Sequence, residues 1–253
     1  MDKNILRRTM ILPKMILFDY GHTLLYEPDF DALRGERALF QYVVRNKNNL
    51  SPEEVNTFSG KLFDEIGRAR AVGIEIHERQ FQRMLYEYLE IELSISYEEA
   101  EMIFWNHTST GAVMPNAGKM IDFINSKRIR SGVISNIGFS ENALRNRFDR
   151  LLPNHRFEFI IASSEYSLRK PSHFLFNLAL RKAGLSPDEV WFCGDNVKAD
   201  VEGSAAVGIF PVWYEDLVCE NPWREQNVGI TPGCDYIHIN DWFELIEILE
   251  GIK

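Results

Sequence analysis

The chain is poor in cysteine and has no long apolar run. Cys193, Cys219 and Cys234 are its only cysteines in 253 residues, too few and too widely spaced for a disulfide framework or a CxxC metal site. We therefore expect a protein of the reducing cytoplasm. No apolar stretch approaches the ~18 residues that a membrane helix requires, and residues 1–14 lack the apolar core of a signal peptide. We expect no membrane partner, and we interpret residues 1–14 as a short extension.

The chain also lacks an excess of positive charge. Its 28 Lys and Arg residues against 37 Asp and Glu residues give a formal net charge of −9. Without a long basic run, this balance argues against nucleic acid or an anionic membrane as the main partner, although it leaves room for a small basic pocket. A hydrophobic fraction of 45% with 26% charged residues is typical of a globular chain and excludes intrinsic disorder. The length allows one or two domains of roughly 150 residues.

The first part of the chain combines one predicted strand with a long helical block. Residues 15–18 form a short apolar run before a turn at Gly21, which predicts a buried strand. From about residue 29 to residue 107, apolar side chains recur every three or four positions, and we expect helices only. Two of these helices begin with a serine followed three residues later by glutamate, a capping pattern. The two capping pairs are Ser51 with Glu54 and Ser96 with Glu99.

After Pro115, strand and helix patterns alternate. The expected strands are 131–135, 157–162, 190–195, 209–213 and 236–239, and the expected helices are 117–126, a helix from about 140, 172–184, 200–207 and 242–249. This alternation predicts an α/β fold with a doubly wound parallel sheet that is covered by helices on both faces. The helical block is then an insertion after the first strand. We expect a discontinuous core of residues 1–26 and 115–253 and an inserted helical cap domain of residues 27–114.

Polar side chains stand where the predicted strands end. They are Asp19, Ser135-Asn136, Arg169-Lys170-Pro171, Gly194-Asp195-Asn196 and Asp200. In an open parallel sheet, ligands bind at the carboxyl ends of the strands. Carboxylates crowded at one such edge repel one another unless a cation lies between them, and Mg²⁺ is the hard, oxygen-liganded ion that suits them. The sequence therefore predicts a Mg²⁺ site whose open coordination positions accept a substrate phosphate.

Taken in chain order, these residues resemble the four motifs of the haloacid dehalogenase-like hydrolase superfamily. The motifs are Asp19-Tyr20-Gly21-His22-Thr23, Ser135 after Val133-Ile134, Lys170, and Gly194-Asp195-Asn196 with Asp200. The resemblance covers the core on both sides of the insertion, which lies where helical-cap members of the superfamily carry their cap. It implies a Rossmann-like core, and the fourth motif resembles that of the phosphatase branch more than that of the dehalogenases.

The resemblance implies a role for each motif residue. Asp19 is the expected nucleophile, which takes a phosphoryl group to form an aspartyl-phosphate. Lys170 is expected to neutralise charge between Asp19 and the transferred group. Ser135, the main chain of Asn136, Thr23 and Lys170 are the expected substrate-binding groups. The expected Mg²⁺ ligands are Asp19, Asp195, Asp200 and the main-chain carbonyl of Gly21.

The first motif departs from the pattern of the superfamily. Its phosphatases carry a second aspartate two residues after the nucleophile, which protonates the leaving oxygen and later activates water, and this chain has Gly21 there. Loss of a general acid and base typically costs about 10²–10⁴-fold in rate. His22 could supply the proton transfer, although adjacent residues that leave a strand need not point the same way. We therefore expect slow turnover.

The sequence leaves more than one function open. The leading hypothesis is a Mg²⁺-dependent phosphatase of a small phosphorylated metabolite, whose cap closes over the site. The alternative is a phosphate-binding or regulatory protein that has lost efficient turnover, and a haloacid dehalogenase is a third. Further candidates for contact with an anionic substrate are Arg34, Arg37, Arg68 and Arg70. The substrate and the oligomeric state stay open.

Overall fold

A six-stranded parallel sheet forms the centre of the protein. The computed structural model describes residues 11–222 and 224–252, so most of the expected N-terminal extension lies outside the described residues. The strands of the sheet are β1 (Met15–Phe18), β6 (Arg130–Ser135), β7 (Phe157–Ala162), β8 (Val190–Gly194), β9 (Phe210–Tyr214) and β10 (Ile237–Ile239). Their spatial order is β10-β9-β8-β1-β6-β7, and every neighbouring pair is parallel. This arrangement confirms the predicted doubly wound α/β fold.

Helices cover both faces of the sheet. In chain order the helices are α1 (Ala32–Leu39), α2 (Pro52–Ala71), α3 (Glu78–Tyr88), α4 (Tyr97–Thr108), α5 (Ala117–Ser126), α6 (Glu141–Leu151), α7 (Ser163–Tyr166), α8 (His173–Ala183), α9 (Gly203–Ala205) and α10 (Trp242–Gly251). Ile16 and Phe18 pack in one apolar cluster with α5, α6 and α10, whereas Met15 and Leu17 pack in another with α8. Because β1 is buried on both faces, its sequence is a continuous apolar run.

The position of β1 brings the motif residues to one edge. β1 lies between β6 and β8, and Phe18 is in register with Val133 on one side and Cys193 on the other. The polar residues that stand one or two positions after these three residues therefore lie side by side at the carboxyl edge of the sheet. They are Asp19, Ser135 and Asp195.

The inserted segment is mainly helical, but the expectation of helices only is wrong. Phe40–Tyr42 forms a 3₁₀ turn after α1, and β3 (Val43–Asn46) then pairs antiparallel with β4 (Ile91–Leu93). The β-branched residues of β3 favour an extended strand over another helical turn. Val44, which the periodicity placed on a helix, is 67% exposed on this strand.

Most of the other predicted boundaries agree with the structure. Ser51 and Ser96 form the predicted capping boxes with Glu54 and Glu99. Ser172 occupies the N-cap position of α8, but its side chain makes no capping hydrogen bond. The single helix expected at 200–207 is instead a π-helical turn, Val197–Glu202, followed by the short helix α9. Two further 3₁₀ turns are Pro187–Glu189 and Arg224–Asn227.

A two-stranded ribbon joins the inserted segment to the sheet region. β2 (Leu25–Tyr26) pairs antiparallel with β5 (Ala112–Val113). The two chain segments that enter and leave the insertion, here called the crossings, therefore run side by side. They lie close to the expected limits of the insertion. Arg147 of α6 contacts both of them: its Nη1 lies 2.5 Å and 2.7 Å from the Glu27 carboxylate oxygens, and its Nη2 donates to the carbonyls of Trp105 and Ser109.

A long connection separates the last two strands. Residues 215–236, here called the strap, join β9 to β10 and contain the 3₁₀ turn Arg224–Asn227. The sequence patterns assigned no structure to residues 215–235, and they placed residue 236 in the expected strand 236–239. Among the helices of the described ranges, none is both long and apolar enough to cross a lipid bilayer.

Candidate active site

Asp19 and Lys170 meet at the carboxyl edge of the sheet. Asp19 directly follows β1, and its N–H donates to the Cys193 carbonyl at 2.9 Å. Lys170 Nζ lies 2.8 Å from Asp19 Oδ1 and 2.7 Å from Asp200 Oδ1. It also donates to the Ile134 carbonyl at 2.9 Å. Burial disfavours the charged ammonium, but Asp19 and Asp200 outweigh it and raise the pKa of Lys170. The lysine is therefore a fixed positive charge beside the expected nucleophile.

Three carboxylates converge at this edge. Asp19, Asp195 and Asp200 each place an oxygen within 4.8 Å of the others. Burial, together with the charges of Asp200 and Asp19, raises the pKa of Asp195 well above its usual range. Burial also raises the pKa of Asp200 to about 6, although Lys170 opposes the shift. Asp200 is buried, and Asp19 and Asp195 are half-buried. Carboxylates at this spacing need positive charge between them, and their hard oxygens are the ligands that Mg²⁺ prefers. The residues present therefore fit a divalent metal ion.

The turn after β8 fixes the position of Asp200. The Asn196 N–H donates to Asp200 Oδ2 at 3.0 Å, and Asn196 Oδ1 accepts from the Ala199 N–H at 2.8 Å. A Cβ added at Gly194 would lie 2.3 Å from Asp200 Oδ2. Only glycine therefore allows this carboxylate to fold back against the end of the strand.

The strap supports Asp195, another of the predicted metal ligands. Asn221 Nδ2 donates to Asp195 Oδ2 at 3.0 Å, and Asn227 Nδ2 donates to the Asp195 carbonyl at 2.8 Å. Asn227 Oδ1 also accepts from the Val197 N–H at 2.9 Å. Sequence reasoning missed both asparagines. They lie 26 and 32 residues from Asp195, with no motif to mark them.

Ser135 and Asn136 lie beside Lys170, as expected from the order of the strands. Ser135 is 3% exposed at the end of β6. The Asn136 side chain makes two hydrogen bonds to the Lys170 main chain: it accepts from the N–H at 2.7 Å and donates to the carbonyl at 3.0 Å. The Asn136 amide therefore holds the lysine in place.

The rest of the first motif forms a tight turn after Asp19. No heavy atom lies within 4 Å of a Cβ added at Gly21. His22 has a φ of 50°, and its Nδ1 is buried without a hydrogen-bond partner in the described part of the chain. Burial lowers the pKa of His22, while Asp19 and Asp216 oppose this shift. Thr23 is fully buried, and its Oγ1 likewise has no partner among the residues described.

The arginines suggested for substrate contact are engaged within the protein. Arg34 donates to the Thr108 carbonyl. The other three pair with glutamates, at distances of 2.8 Å for Arg37 with Glu53, 3.1 Å for Arg68 with Glu65 and 2.8 Å for Arg70 with Glu75. Glu75, whose side chain is fully buried, also pairs with Arg169 and accepts from the Ser163 hydroxyl at 3.0 Å. This ion cluster ties the α2–α3 connection to the loop that carries Lys170, and no local sequence pattern indicated it.

The parallel sheet, the insertion after its first strand and the aspartate-lysine edge are together typical of hydrolases with a Rossmann-like core. The model of the haloacid dehalogenase-like hydrolase family matches residues 16–213. The chain belongs to this family, as the resemblance of its motifs implied.

Curated relatives agree with this assignment, and a solved structure shares the fold. A glyceraldehyde 3-phosphate phosphatase from Pyrococcus furiosus is 25% identical over 167 residues, which is 64% of this chain and 65% of that protein. A phosphoserine phosphatase from Thermus thermophilus is 36% identical over 61 residues, which is 24% of each chain. This chain thus spans less than two thirds of these relatives. A HAD phosphatase structure from Thermococcus onnurineus is 21% identical with a TM-score of 0.61 and coverage of 94% and 98%, which shows the shared fold.

Proposed function

We propose that the protein is a Mg²⁺-dependent phosphatase of a small phosphorylated metabolite that works through an aspartyl-phosphate on Asp19. The observation that carries this proposal is the contact of Lys170 with both Asp19 and Asp200, within a group of three carboxylates. The phosphatase names of the curated relatives also support it.

In the first step, an Asp19 oxygen attacks phosphorus and the bond from phosphorus to the ester oxygen breaks. The transferred group passes to Asp19, and the leaving oxygen takes up a proton from water. Lys170 binds a phosphoryl oxygen and offsets the negative charge, because its ammonium already lies at the nucleophile. Ser135, Thr23 and the Asn136 main chain are proposed to orient the phosphoryl group.

In the second step, water attacks the aspartyl-phosphate and releases inorganic phosphate, which restores Asp19. Gly21 provides neither a proton for the first step nor a base for the second, so both steps are slow. His22 is the nearest predicted substitute for the missing acid, and its role stays a prediction.

Asp19, Asp195, Asp200 and the Gly21 carbonyl would hold Mg²⁺. The ion supplies positive charge that offsets the carboxylates and the phosphate. Asn221 and Asn227 keep Asp195 in position for it.

We also propose that residues 27–114 act as a cap over a core of residues 1–26 and 115–253, and that the protein works in the cytoplasm. The ribbon of β2 and β5 is where the two parts would move relative to each other. Closure would exclude water from the phosphoryl group.

A second candidate function is phosphate binding without turnover, and Gly21 is the observation that favours it. A panel of phosphate esters that includes glyceraldehyde 3-phosphate and phosphoserine, with and without Mg²⁺, separates the alternatives. Metal-dependent phosphate release supports the phosphatase, whereas tight binding without release supports the binding protein. Halide release from 2-haloacids would instead support a dehalogenase.

A further inference from the structure

Glu75 is a carboxylate of the inserted segment that two arginines share. Its side chain is fully buried in the connection between α2 and α3, and its Oε1 accepts from Arg70 Nε at 2.8 Å. Its Oε2 pairs with Arg169, which stands directly before Lys170. Burial lowers the pKa of Arg169, and Arg70 adds to this shift, whereas Glu75 opposes it. Glu75 is therefore the counter-charge that lets two guanidinium groups meet at one buried point.

The core of the protein fixes the position of this carboxylate. The Ser163 hydroxyl donates to Glu75 Oε2 at 3.0 Å, and its oxygen accepts from the Ile137 N–H at 2.8 Å. Ser163 is itself fully buried at the start of α7. Ile137 directly follows Asn136, whose side chain binds the main chain of Lys170. Glu75 therefore belongs to one network with both loops that carry predicted phosphate-binding groups.

The main chain ties Glu75 to the same loop. The Glu75 N–H donates to the Ser167 carbonyl at 3.2 Å, and the Arg169 N–H donates to the Gly73 carbonyl at 3.0 Å. The two segments form a short antiparallel bridge here. The inserted segment thus holds both the main chain and the side chain of Arg169, one residue before Lys170.

Lys170 depends on an accurate position. Its Nζ lies 2.8 Å from Asp19 Oδ1, 2.7 Å from Asp200 Oδ1 and 2.9 Å from the Ile134 carbonyl. An ammonium stabilises a transferring phosphoryl group only from a fixed place, and a displacement of about 1 Å can cost about 10²-fold in rate. Release of Arg169 from Glu75 would free the main chain next to this ammonium.

We propose that Glu75 is a positioning residue for the phosphate side of the site, formed by Ser135, Asn136 and Lys170, and that it acts on Lys170 through Arg169. The inserted segment thereby helps to build the site. This inference rests on the proposed function and adds to it a residue that no motif marks.

Two variants test this role. Glu75→Gln removes the charge, and its amide offers an oxygen at only one of the two positions, so one arginine meets an NH₂ group. Arg169→Met removes the link to Lys170 but leaves Glu75 paired with Arg70, so it decides the question even if Glu75→Gln does not fold. Calorimetry measures the affinity for inorganic phosphate in saturating Mg²⁺ and, separately, the affinity for Mg²⁺. The third measurement is kcat for the best ester of the panel.

We expect each variant to weaken phosphate binding by about tenfold, the effect of one displaced hydrogen bond to a charged group. The kcat should fall by roughly 10–100-fold. Mg²⁺ affinity should not fall, because Asp195 and Asp200 follow β8, on the opposite side of β1 from the loop that carries Arg169. A general loosening of the protein would weaken the binding of both ligands.

Glu101→Gln is the matched control, because Glu101 is another fully buried carboxylate of the inserted segment. Arg79 Nε lies 2.8 Å from its Oε2, and the Ser140 hydroxyl donates to the same oxygen at 2.7 Å. The variant therefore loses a similar ion pair away from the loop that carries Lys170. It should keep the phosphate affinity and the kcat of the wild type.

Since Glu75 is proposed to act through Arg169, the double variant should be no weaker than Arg169→Met alone. Losses that add in the double variant would overturn this route. Wild-type phosphate affinity and kcat in both single variants would overturn the positioning role, as would equal losses in Glu101→Gln or a matching loss of Mg²⁺ affinity. These outcomes leave the proposed function intact. If the wild type neither binds phosphate nor releases it from any ester of the panel, the proposed function is itself wrong.

Discussion

Gly21 is the residue at which this chain departs most clearly from the phosphatase pattern. No heavy atom lies within 4 Å of a Cβ added there, so a side chain can begin at this position without a clash at its first atom. We predict that Gly21→Asp raises phosphatase turnover by at least about tenfold, within the roughly 10²–10⁴-fold contribution of a general acid and base. The measurement is kcat for the best ester of the panel.

Gly21→Asn is the control, because asparagine has nearly the same size but no acid to donate. It should leave turnover close to that of the wild type. Unchanged or reduced turnover in Gly21→Asp, with Mg²⁺ affinity retained, would contradict the view that turnover is slow because position 21 lacks the general acid and base.

Glu36 gives a prediction about stability and pH. Burial raises its pKa from 4.5 to about 7 in the folded protein, so the folded state binds a proton more tightly than the unfolded chain. The free energy of unfolding therefore falls as pH rises from about 4.5 to about 7. We expect Glu36→Gln to stabilise the protein by up to about 3 kcal/mol at pH 8 and to have little effect at pH 4.

Urea unfolding at pH 4, 6 and 8 checks this prediction. Glu65→Gln is the control, since that side chain is 64% exposed and the change should stay within about 0.5 kcal/mol. A variant that is less stable than the wild type at pH 8 would show that Glu36 is ionised and stabilising in the folded state.

At the scale of elements, Arg147 joins α6 to both crossings of the inserted segment. Its guanidinium pairs with Glu27, donates to the Trp105 and Ser109 carbonyls and lies 3.8 Å from the centre of the Trp105 ring. Arg147→Met leaves Glu27 and both carbonyls without this partner. We predict a loss of about 3–5 kcal/mol in the free energy of unfolding, the range for breaking a buried ion pair.

Arg145 is the matched control on the same helix. It is 35% exposed and pairs with Glu141 one turn away, so Arg145→Met should cost less than about 0.5 kcal/mol. Similar losses in the two variants, measured by urea unfolding, would contradict the view that Arg147 secures the crossings.

The strap gives a second prediction at this scale. Because Asn221 donates to Asp195 Oδ2, Asn221→Ala should weaken Mg²⁺ binding by roughly 10–100-fold, the usual effect of losing a group that orients a ligand. Gln226→Ala is the control, since Gln226 accepts from the Asn196 side chain and has no hydrogen bond to a predicted ligand in the described part of the chain. Calorimetric titration with Mg²⁺ measures both. Equal affinities would show that Asp195 needs no support from Asn221.

At the scale of the whole molecule, the fold and the edge of the sheet follow from patterns local in sequence. Apolar runs such as 15–18 predicted the strands of the α/β core. The polar residues at the ends of these runs predicted the site, and the structure places three of them, Asp19, Asp195 and Asp200, close together with Lys170 beside them. Local patterns suffice here because the carboxyl ends of parallel strands share one edge.

Features that depend on distant partners could not be predicted in this way. Arg147 and Glu27 are 120 residues apart, and nothing in either local sequence pairs them. The same holds for the strap asparagines. The antiparallel pair of β3 and β4 was missed because the helical spacing of apolar residues continued through Phe40 into a strand. This segment forms a strand because it pairs with β4, which is distant in sequence.

The most direct test of the whole account is to identify the residue that carries the phosphoryl group. The protein is mixed with a reactive ester and Mg²⁺, quenched in acid and analysed by peptide mass spectrometry. The leaving group of a reactive ester needs no acid in the first step, whereas Gly21 still leaves the second step without a base. We therefore predict that a phosphoryl group accumulates on Asp19 only when Mg²⁺ is present, and that Asp19→Asn shows neither the adduct nor phosphate release. Phosphate release at the wild-type rate by Asp19→Asn, or an adduct on another residue, would contradict the account.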